Sequence, residues 1–178
     1  MTPREPAMIP AWVDGRLQPV EKLAVHQRGL RHKAVSVFVL HHDAVLLQRR
    51  ALTKYHTPGL WSNTCCTHPH WDEPADACAD RRLRQELGIH GLTLTPVGQV
   101  EYRAPVGPGL IEHEVVDVFV ARTAWRSSLD PDPAEVAETR WMPLTDLTAD
   151  LAAHPQAYTP WLHIYLTRHS DQIFADRA

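Results

Sequence analysis

The sequence has little of what stabilises secreted proteins or anchors proteins in membranes. Of its 178 residues only 3 are cysteine, and two of these, Cys65 and Cys66, are adjacent. Neighbouring cysteines seldom pair, so a disulfide scaffold is excluded and free thiols in a reducing compartment are expected. Apolar stretches such as 34–40 are interrupted too soon to span a bilayer, and the N-terminus lacks the apolar core of a secretory signal. We therefore expect a cytoplasmic protein without membrane insertion.

Positive charge is also in short supply. The chain carries 18 Lys and Arg against 21 Asp and Glu, a net charge of −3. A broadly basic nucleic-acid surface is therefore excluded, although a local basic pocket remains open. The 44% hydrophobic content is ordinary for a globular protein, and the length predicts one domain, 1–178, with an N-terminal extension of about residues 1–20. By contrast, 12 histidines are present, which raises the question of metal or acid/base chemistry.

Several runs of β-branched and apolar residues predict strands. Two of them, 34–40 and 44–49, are separated by three residues, His41 to Asp43, which indicates a hairpin. Further strands are predicted at 100–103, 111–120 and 139–142. Strands outnumber helices and do not alternate strictly with them, which favours an α/β protein of the mixed α+β kind, a mixed sheet flanked by helices.

Two segments have helical signals. One begins near 72–74, where acidic residues and a proline suit a first turn, and Gly88 is placed to end it. Its apolar residues recur every four positions and form a core stripe, while Arg82 and Glu86 align on a neighbouring face. The second begins at Thr159 and runs toward Phe174. The core stripe of the first helix consists of Ala75, Ala79, Leu83 and Leu87.

Two groups of polar residues have the composition of a site. Cys66 and His68 lie two apart in irregular backbone. A cysteine beside a histidine or a metal can be reactive, although a small buried thiol and a loop histidine are the commoner interpretation of this pair alone. In the strand 111–120, Glu112 and Glu114 share one face with valines. If that face is buried, two like charges need a cation or a shared proton; if it is wet, they are merely solvated.

The remaining polar groups are weaker signals. His26 and His32 follow Lys22 in a polar stretch, where imidazoles with carboxylates are usual zinc or manganese ligands but exposed loop histidines are commoner. Arg50 and Lys54, with Arg49, follow the second strand and suit a phosphate, although such charges are often solvated. None of these groups is decisive alone.

Together the motifs resemble a known family. The segment RRLRQELGI (81–89), with Glu73 ahead of it, is similar to a degraded Nudix box, R-E-hydrophobic-x-E-E-x-G-hydrophobic. Arg82 and Gln85 replace two of its acids and only Glu86 is retained, so Nudix hydrolysis is not expected. This pattern resembles the type 1 isopentenyl-diphosphate isomerases. The similarity runs from about Lys22 to Trp161 and includes RRALTK (49–54), PGLWSNTCCTHP (58–69), EYRA (101–104) and EHEV (112–115).

The resemblance implies a Nudix-type mixed β-sheet flanked by helices and the interconversion of isopentenyl and dimethylallyl diphosphate. It implies that Cys66 and Glu114 handle the two protons on opposite sides of the hydrocarbon and that Tyr102 relays one of them. Trp161 would stack on the hydrocarbon, where an indole face stabilises a developing cation, although a core aromatic is the plainer interpretation.

The resemblance also implies two kinds of metal. One Mn²⁺ or Zn²⁺ would be held by three histidines and two glutamates, namely His26, His32, His68, Glu112 and Glu114. Mg²⁺ would accompany the diphosphate, held by Glu86 and the backbone carbonyl of Cys66. The diphosphate itself would be bound by Lys22, Arg50, Lys54 and Arg82.

Two departures from the family pattern are present. His26 and His32 are one residue closer together than in the bacterial members, so the chain between them must take a different path. Thr67 replaces the glycine that normally opens the Nudix box, which requires a backbone angle that a β-branched residue tolerates.

Three functions remain to be separated. The first is the isomerase, acting on a small prenyl diphosphate as a monomer or homodimer without nucleic acid. The second is a Nudix-type hydrolase of a nucleoside or prenyl diphosphate, which Arg82 and Gln85 should impair. The third is a non-catalytic module in which the histidines and glutamates bind a structural metal and Cys66 is inert.

Overall fold

The computed structural model describes residues 7–124 and 129–175. Within these ranges nine strands form one mixed sheet, with five helices and one 3-10 turn, Pro155–Ala157. The strands are β1 Met8–Val13, β2 Arg16–Glu21, β3 His32–His41, β4 Ala44–Arg50, β5 Trp61–Ser62, β6 Cys65–Thr67, β7 Thr95–Gly107, β8 Leu110–Arg122 and β9 Val136–Pro143. The helices are α1 Lys22–Arg28, α2 Ala75–Leu87, α3 Leu144–Ala153, α4 Pro160–Arg168 and α5 Ser170–Phe174. No described helix is both long enough and apolar enough to cross a membrane.

The predicted strands are all present. β3 and β4 form the hairpin, with Leu40 opposite Val45 and a turn in which His42 has a φ of 52°. The segments predicted at 100–103, 111–120 and 139–142 lie inside β7, β8 and β9, which extend beyond them. The mixed sheet flanked by helices is therefore confirmed.

The predicted helices differ in outcome. α2 ends where expected, at Gly88, whose φ of 69° is the left-handed conformation that a C-terminal cap requires. The helix predicted from Thr159 to Phe174 is instead two helices, α4 and α5, separated by His169. The backbone of His169 has a φ of −130°, outside the helical region, and the break lets Ile173 pack in the core above β7 and β8.

β3 is the centre of the sheet. It runs parallel to β8 along its length, while its other edge pairs in turn with β1, β6 and β4. Apolar side chains leave it in both directions, because α2 covers one face of the sheet and α4 with α5 covers the other. β3 pairs with β4 only beside their turn, and β5 and β6 pair with the two strands where these diverge. This divergence gives the sheet an opening in which a site can form.

Residues 8–30, which precede the central strand β3 in sequence, form two strands and a helix. β1 and β2 form an antiparallel hairpin whose edge joins β3 at Ala11 and His32. Both carboxylate oxygens of Glu21 accept hydrogen bonds from the first backbone N–H groups of α1. α1 is capped by Gly29, whose φ of 60° is the left-handed conformation that glycine favours and where a Cβ would lie 3.3 Å from the Ile111 side chain. This left-handed residue turns the chain directly from α1 into β3.

Candidate active site and metal centre

The register of the sheet places three side chains in one row. Tyr102 of β7, Glu114 of β8 and His32 of β3 are direct neighbours across adjacent strands. Residues that face each other across a sheet point to the same side, so all three project towards α4. The Tyr102 hydroxyl donates a hydrogen bond to Glu114 Oε2, and Glu114 Oε1 lies 3.6 Å from His32 Nε2.

A buried cluster of histidines and glutamates lies at this row. His26, His32, His68 and Glu112 each offer one ligand atom, and these atoms lie within 4.8 Å of one another. Glu114 adjoins them, with its Oε1 2.9 Å from His68 Nε2. The six-residue spacing from His26 to His32 is accommodated by the left-handed turn after α1, which returns the chain so that both rings face Glu112. The face carrying the two glutamates is therefore buried, not wet.

The donor atoms of this cluster fit a divalent cation. His26 Nδ1 lies 2.6 Å from the carbonyl of Lys22, and His32 Nδ1 lies 2.7 Å from that of Leu30. Because a carbonyl only accepts, each Nδ1 carries a hydrogen, and in the neutral ring Nε2 keeps its lone pair. His26 Nε2 and Glu112 Oε2 are buried 3.0 Å apart without an aligned hydrogen bond, as expected of donor atoms that face a common metal. Nitrogen and oxygen donors without sulfur suit a transition-metal ion.

The electrostatics of the cluster suit a cation. Burial and the nearby Lys22 lower the pKa of His68 to about 3, so its imidazole is uncharged. Burial opposes charge on His32, but the adjacent carboxylates of Glu112 and Glu114 raise its pKa to about 10, so a metal that binds its Nε2 would displace a proton. Burial also opposes charge on Glu114, yet hydrogen bonds with His32 and His68 leave its pKa below the ordinary value. Two buried carboxylates thus stay ionised and attract positive charge.

Cys66 is held beside this cluster by a network of polar side chains. It lies opposite Ser36 in the β3–β6 pairing, with its Sγ 3.2 Å from the Ser36 hydroxyl. The Asn63 amide donates to the carbonyls of Val37 and Cys65, which turns its Oδ1 towards Cys66 Sγ at 3.0 Å. Burial raises the pKa of the Cys66 thiol to about 12 despite these contacts. Cys66 is a free, protonated thiol, and it donates its hydrogen to Asn63.

One cavity joins these groups to a set of cationic side chains. It is a cleft that opens to solvent, and polar side chains dominate its lining. Of the predicted site residues, His26 and His32 lie in the wall behind it, and the others line it. They are Lys22, Arg50, Lys54, Cys66, His68, Arg82, Glu86, Tyr102, Glu112, Glu114 and Trp161. Residues that were predicted separately along the chain therefore meet in one place.

The cationic half is formed around α2. Arg82 donates from Nε and Nη2 to Glu86 Oε1, while the Gln48 amide donates to Glu86 Oε2. Lys54 Nζ lies 2.6 Å from Glu135 Oε2, and Arg82 Nη2 lies 3.3 Å from the same oxygen. Burial, together with Lys54, lowers the pKa of Lys22 to about 8. The cations are thus gathered around two acids in a space where they repel one another.

Trp161 lies between the two halves. It is buried at the start of α4, and its indole N–H donates to the Ser62 hydroxyl at 2.8 Å. The Arg50 guanidinium lies 5.3 Å from the centre of its ring. Arg49, which precedes Arg50 in β4, points outward to Glu138, because neighbouring residues of a strand face opposite sides of the sheet.

Sequence reasoning missed several residues of the site. Gln48, His56 and Glu135 line the cavity, and Ser36 and Asn63 hold the thiol. Asn63 lies inside a motif that was singled out, so its position gave some signal. Gln48 and His56 flank the motif at 49–54 without belonging to it, and Ser36 and Glu135 stand apart from every motif. Only the fold brings these four into the site. Thr67, the residue in the position of a glycine, is in extended strand β6, which a β-branched side chain adopts without strain.

Comparison with known proteins is in keeping with this geometry. Residues 30–162 match the NUDIX domain family. An isopentenyl-diphosphate Delta-isomerase of Cereibacter sphaeroides is 64% identical over 95% of this chain and 96% of its own length. One from Dinoroseobacter shibae is 60% identical over 94% of this chain and 95% of its own.

Solved structures agree in fold. A Deinococcus radiodurans protein matches 90% of this chain and 98% of its own with a TM-score of 0.72 at 16% identity. A MutT NUDIX hydrolase from Burkholderia pseudomallei matches 76% of this chain and 95% of its own with a TM-score of 0.60 at 23% identity. These likenesses concern the fold alone. The sequence relatives go further, and the chain belongs to the NUDIX family and, within it, to the isopentenyl-diphosphate Delta-isomerases.

Proposed function

We propose that this chain interconverts isopentenyl and dimethylallyl diphosphate by adding a proton at one carbon of the allylic unit and removing one from another on the opposite side. The observation that carries the proposal is the single cavity in which four cations meet a thiol, a carboxylate and an indole. A diphosphate needs the four cations, and a proton transposition needs the thiol, the carboxylate and the indole. Either set alone would leave half of such a substrate without partners.

The cationic end would bind the diphosphate. Lys22, Arg50, Lys54 and Arg82 supply four donors, two of them guanidinium groups that match phosphate oxygens. Glu86 and the Cys66 carbonyl would hold Mg²⁺, which prefers a carboxylate together with phosphate oxygens. Arg82 stands where a Nudix hydrolase has an acid. This single replacement removes a metal ligand and adds a hydrogen-bond donor to phosphate. This favours isomerisation over hydrolysis.

The other end would handle protons. Cys66 is protonated and Glu114 is ionised, so the pair begins with one donor and one acceptor. Tyr102, on the neighbouring strand β7, donates a hydrogen bond to Glu114, which lets it pass a proton to or from that carboxylate. Trp161 would cover the hydrocarbon, where its ring stabilises a tertiary cation without attacking it. Burial of these groups keeps water from quenching that cation.

A metal would complete this end. His26, His32, His68, Glu112 and Glu114 would hold one Mn²⁺ or Zn²⁺, which supplies positive charge that strengthens Glu114 as an acid once it is protonated. The residues themselves fix where that carboxylate points, since Tyr102 and His68 bind its two oxygens.

The reaction is tested directly in heavy water. The chain is incubated with isopentenyl diphosphate and Mg²⁺ in D₂O, and the products are examined by NMR and mass spectrometry. We expect deuterated dimethylallyl diphosphate, and none with Cys66→Ala. Release of phosphate or pyrophosphate would instead indicate a hydrolase. Bound metal without turnover would indicate a binding module.

The metal ligands are tested separately by elemental analysis. His68→Ala should lose the nitrogen-bound metal, whereas His113→Ala should keep it. His113 makes a matched control because it lies between the two glutamates in β8 but faces outward to Glu101. Full metal content in His68→Ala would contradict the ligand set.

We further propose that residues 1–178 form a single domain that acts as a cytoplasmic monomer. The described residues of a single chain bring cations, a thiol, carboxylates and an indole into one cavity, which supports a site built within one copy. Light scattering during gel filtration distinguishes this from a homodimer.

A further inference from the structure

His56 is a buried histidine to which the proposed mechanism gives no role. It lies between β4 and β5 with only 5% of its surface exposed, and it lines the cavity. Its ring stacks on that of His26, with centroids 5.5 Å apart and planes inclined by 26°. A polar ring buried this deeply requires partners for its nitrogens.

Its first partner is the oxygen of Glu112 that the other histidines leave free. His56 Nε2 lies 3.3 Å from Glu112 Oε1. The other oxygen, Oε2, lies 3.0 Å from His26 Nε2 and 3.2 Å from His32 Nε2. The two oxygens of one carboxylate are thus divided, one towards the cluster and one towards His56.

Its second partner is the Thr57 hydroxyl, which lies 3.1 Å from Nδ1. An ionised carboxylate only accepts, so the neutral tautomer with its hydrogen on Nε2 is the one that interacts favourably with Glu112, 3.3 Å away. In that tautomer Nδ1 is an acceptor, and the Thr57 hydroxyl is placed to donate to it.

The backbone here is held in an unfavourable conformation. Thr57 has a φ of 46°, which a β-branched residue seldom adopts. The Arg50 guanidinium donates to the carbonyl of His56, and the Gly59 N–H donates to the carbonyl of Arg50, which together hold the loop. Such strain persists only where surrounding contacts enforce it, and it is common at functional sites.

We propose that His56 is a positioning residue, whose Nε2 hydrogen bond holds Glu112 so that its other oxygen is directed into the His26, His32 and His68 cluster. This rests on the metal site of the proposed function. Without the hydrogen bond the carboxylate is free to rotate, and its affinity for a metal falls because that rotation must be arrested on binding. His56 itself remains outside the set of ligands.

The test compares two replacements of this residue. Gln places an amide N–H near the position of Nε2, whereas Leu has similar bulk and no donor. Affinity for Mn²⁺ alone is measured by its EPR signal in competition with a chelator. We expect His56→Leu to bind about 10- to 100-fold more weakly than the wild type and His56→Gln to recover most of the loss.

Three further variants complete the test. His154→Leu, at an exposed position, should leave the affinity unchanged. Thr57→Val should weaken Mn²⁺ binding by a smaller factor while Thr57→Ser preserves it, because a hydroxyl can donate to Nδ1 of the tautomer that faces Glu112 and a methyl group cannot. Thermal unfolding of each variant identifies any that fails to fold, and the Thr57 pair then carries the comparison.

Two outcomes would overturn the proposal. Unchanged affinity in His56→Leu, alongside loss of metal in His68→Ala, would refute the role of His56 and leave the metal site standing. Equal losses in His56→Leu and His56→Gln would show that the ring acts by packing or as a direct ligand. If the wild type binds no Mn²⁺, the proposed metal site fails and this inference fails with it.

Discussion

Replacing Arg82 by methionine removes the guanidinium that lies against the buried carboxylate of Glu86. Arg82 donates twice to Glu86 Oε1, at 3.0 and 2.6 Å, and only 5% of the Glu86 side chain is exposed. After the change the Gln48 amide, 3.0 Å from Oε2, is the remaining hydrogen-bond donor to Glu86 among the described contacts. A mostly buried charge would then lack a counter-ion.

The magnitude follows from that burial. Breaking a fully buried ion pair by removing one partner costs about 3–5 kcal/mol, and a hydrogen bond to a charged group contributes about 1.5–3 kcal/mol. Arg82 keeps 20% of its side chain exposed, so water enters when it is removed and offsets part of the loss. We expect the free energy of unfolding to fall by about 2–3 kcal/mol, with a Tm lower by about 4–10 °C.

Urea unfolding in EDTA measures this loss, and α2 provides a matched control. Arg84 pairs with Asp80 at 2.8 Å with the same i to i+4 spacing, but both side chains are largely exposed. Arg84→Met should therefore cost less than about 0.5 kcal/mol. In the double variant Arg82→Met with Glu86→Gln, the unpaired charge is gone, and we expect about 1–2 kcal/mol to be regained. Equal stability of the two methionine variants, or no recovery in the double variant, would refute this reasoning.

Other predictions concern activity. Because the pKa of Lys22 is lowered to about 8, kcat/KM should fall as pH rises through about 8 and the ammonium is lost; Lys22→Arg should remove that fall in the pH profile. Tyr102→Phe removes the hydrogen bond to Glu114 and should lower kcat by about 10- to 100-fold, with metal content by elemental analysis unchanged; loss of the metal would contradict a relay role. Trp161→Phe should retain more kcat than Trp161→Leu in the same assay, since an aromatic face stabilises a cation; equal rates would argue for simple packing.

Much of the fold could be read from local patterns. The hairpin, β8 and α2 have strong period-two or period-four signals, and Gly88 ends α2 where expected. The break at His169 could not be read, because the apolar spacing continues through it and the interruption serves only to seat Ile173 against the sheet. Local periodicity predicts an element but not how its two ends dock.

The site divides in the same way. The motifs and the resemblance that they carry predicted Cys66, His68, Glu112, Glu114 and Glu86 as site residues, and the fold places these five around one cavity. Whether the face carrying the two glutamates was dry was left open by the sequence. The parallel pairing of β3 with β8 decided it, because it places both glutamates among buried histidines.

The sequence alone therefore determined the residue types of the chemistry and the local elements that carry them, because both depend on neighbours along the chain. Only the tertiary structure decided that His32 lies beside Glu114 on the adjacent strand, that Asn63 orients the thiol, and that His56 lies next to the second oxygen of Glu112. Those contacts depend on strand register and on a strained loop. Both are set by packing between distant segments, and no local pattern records them.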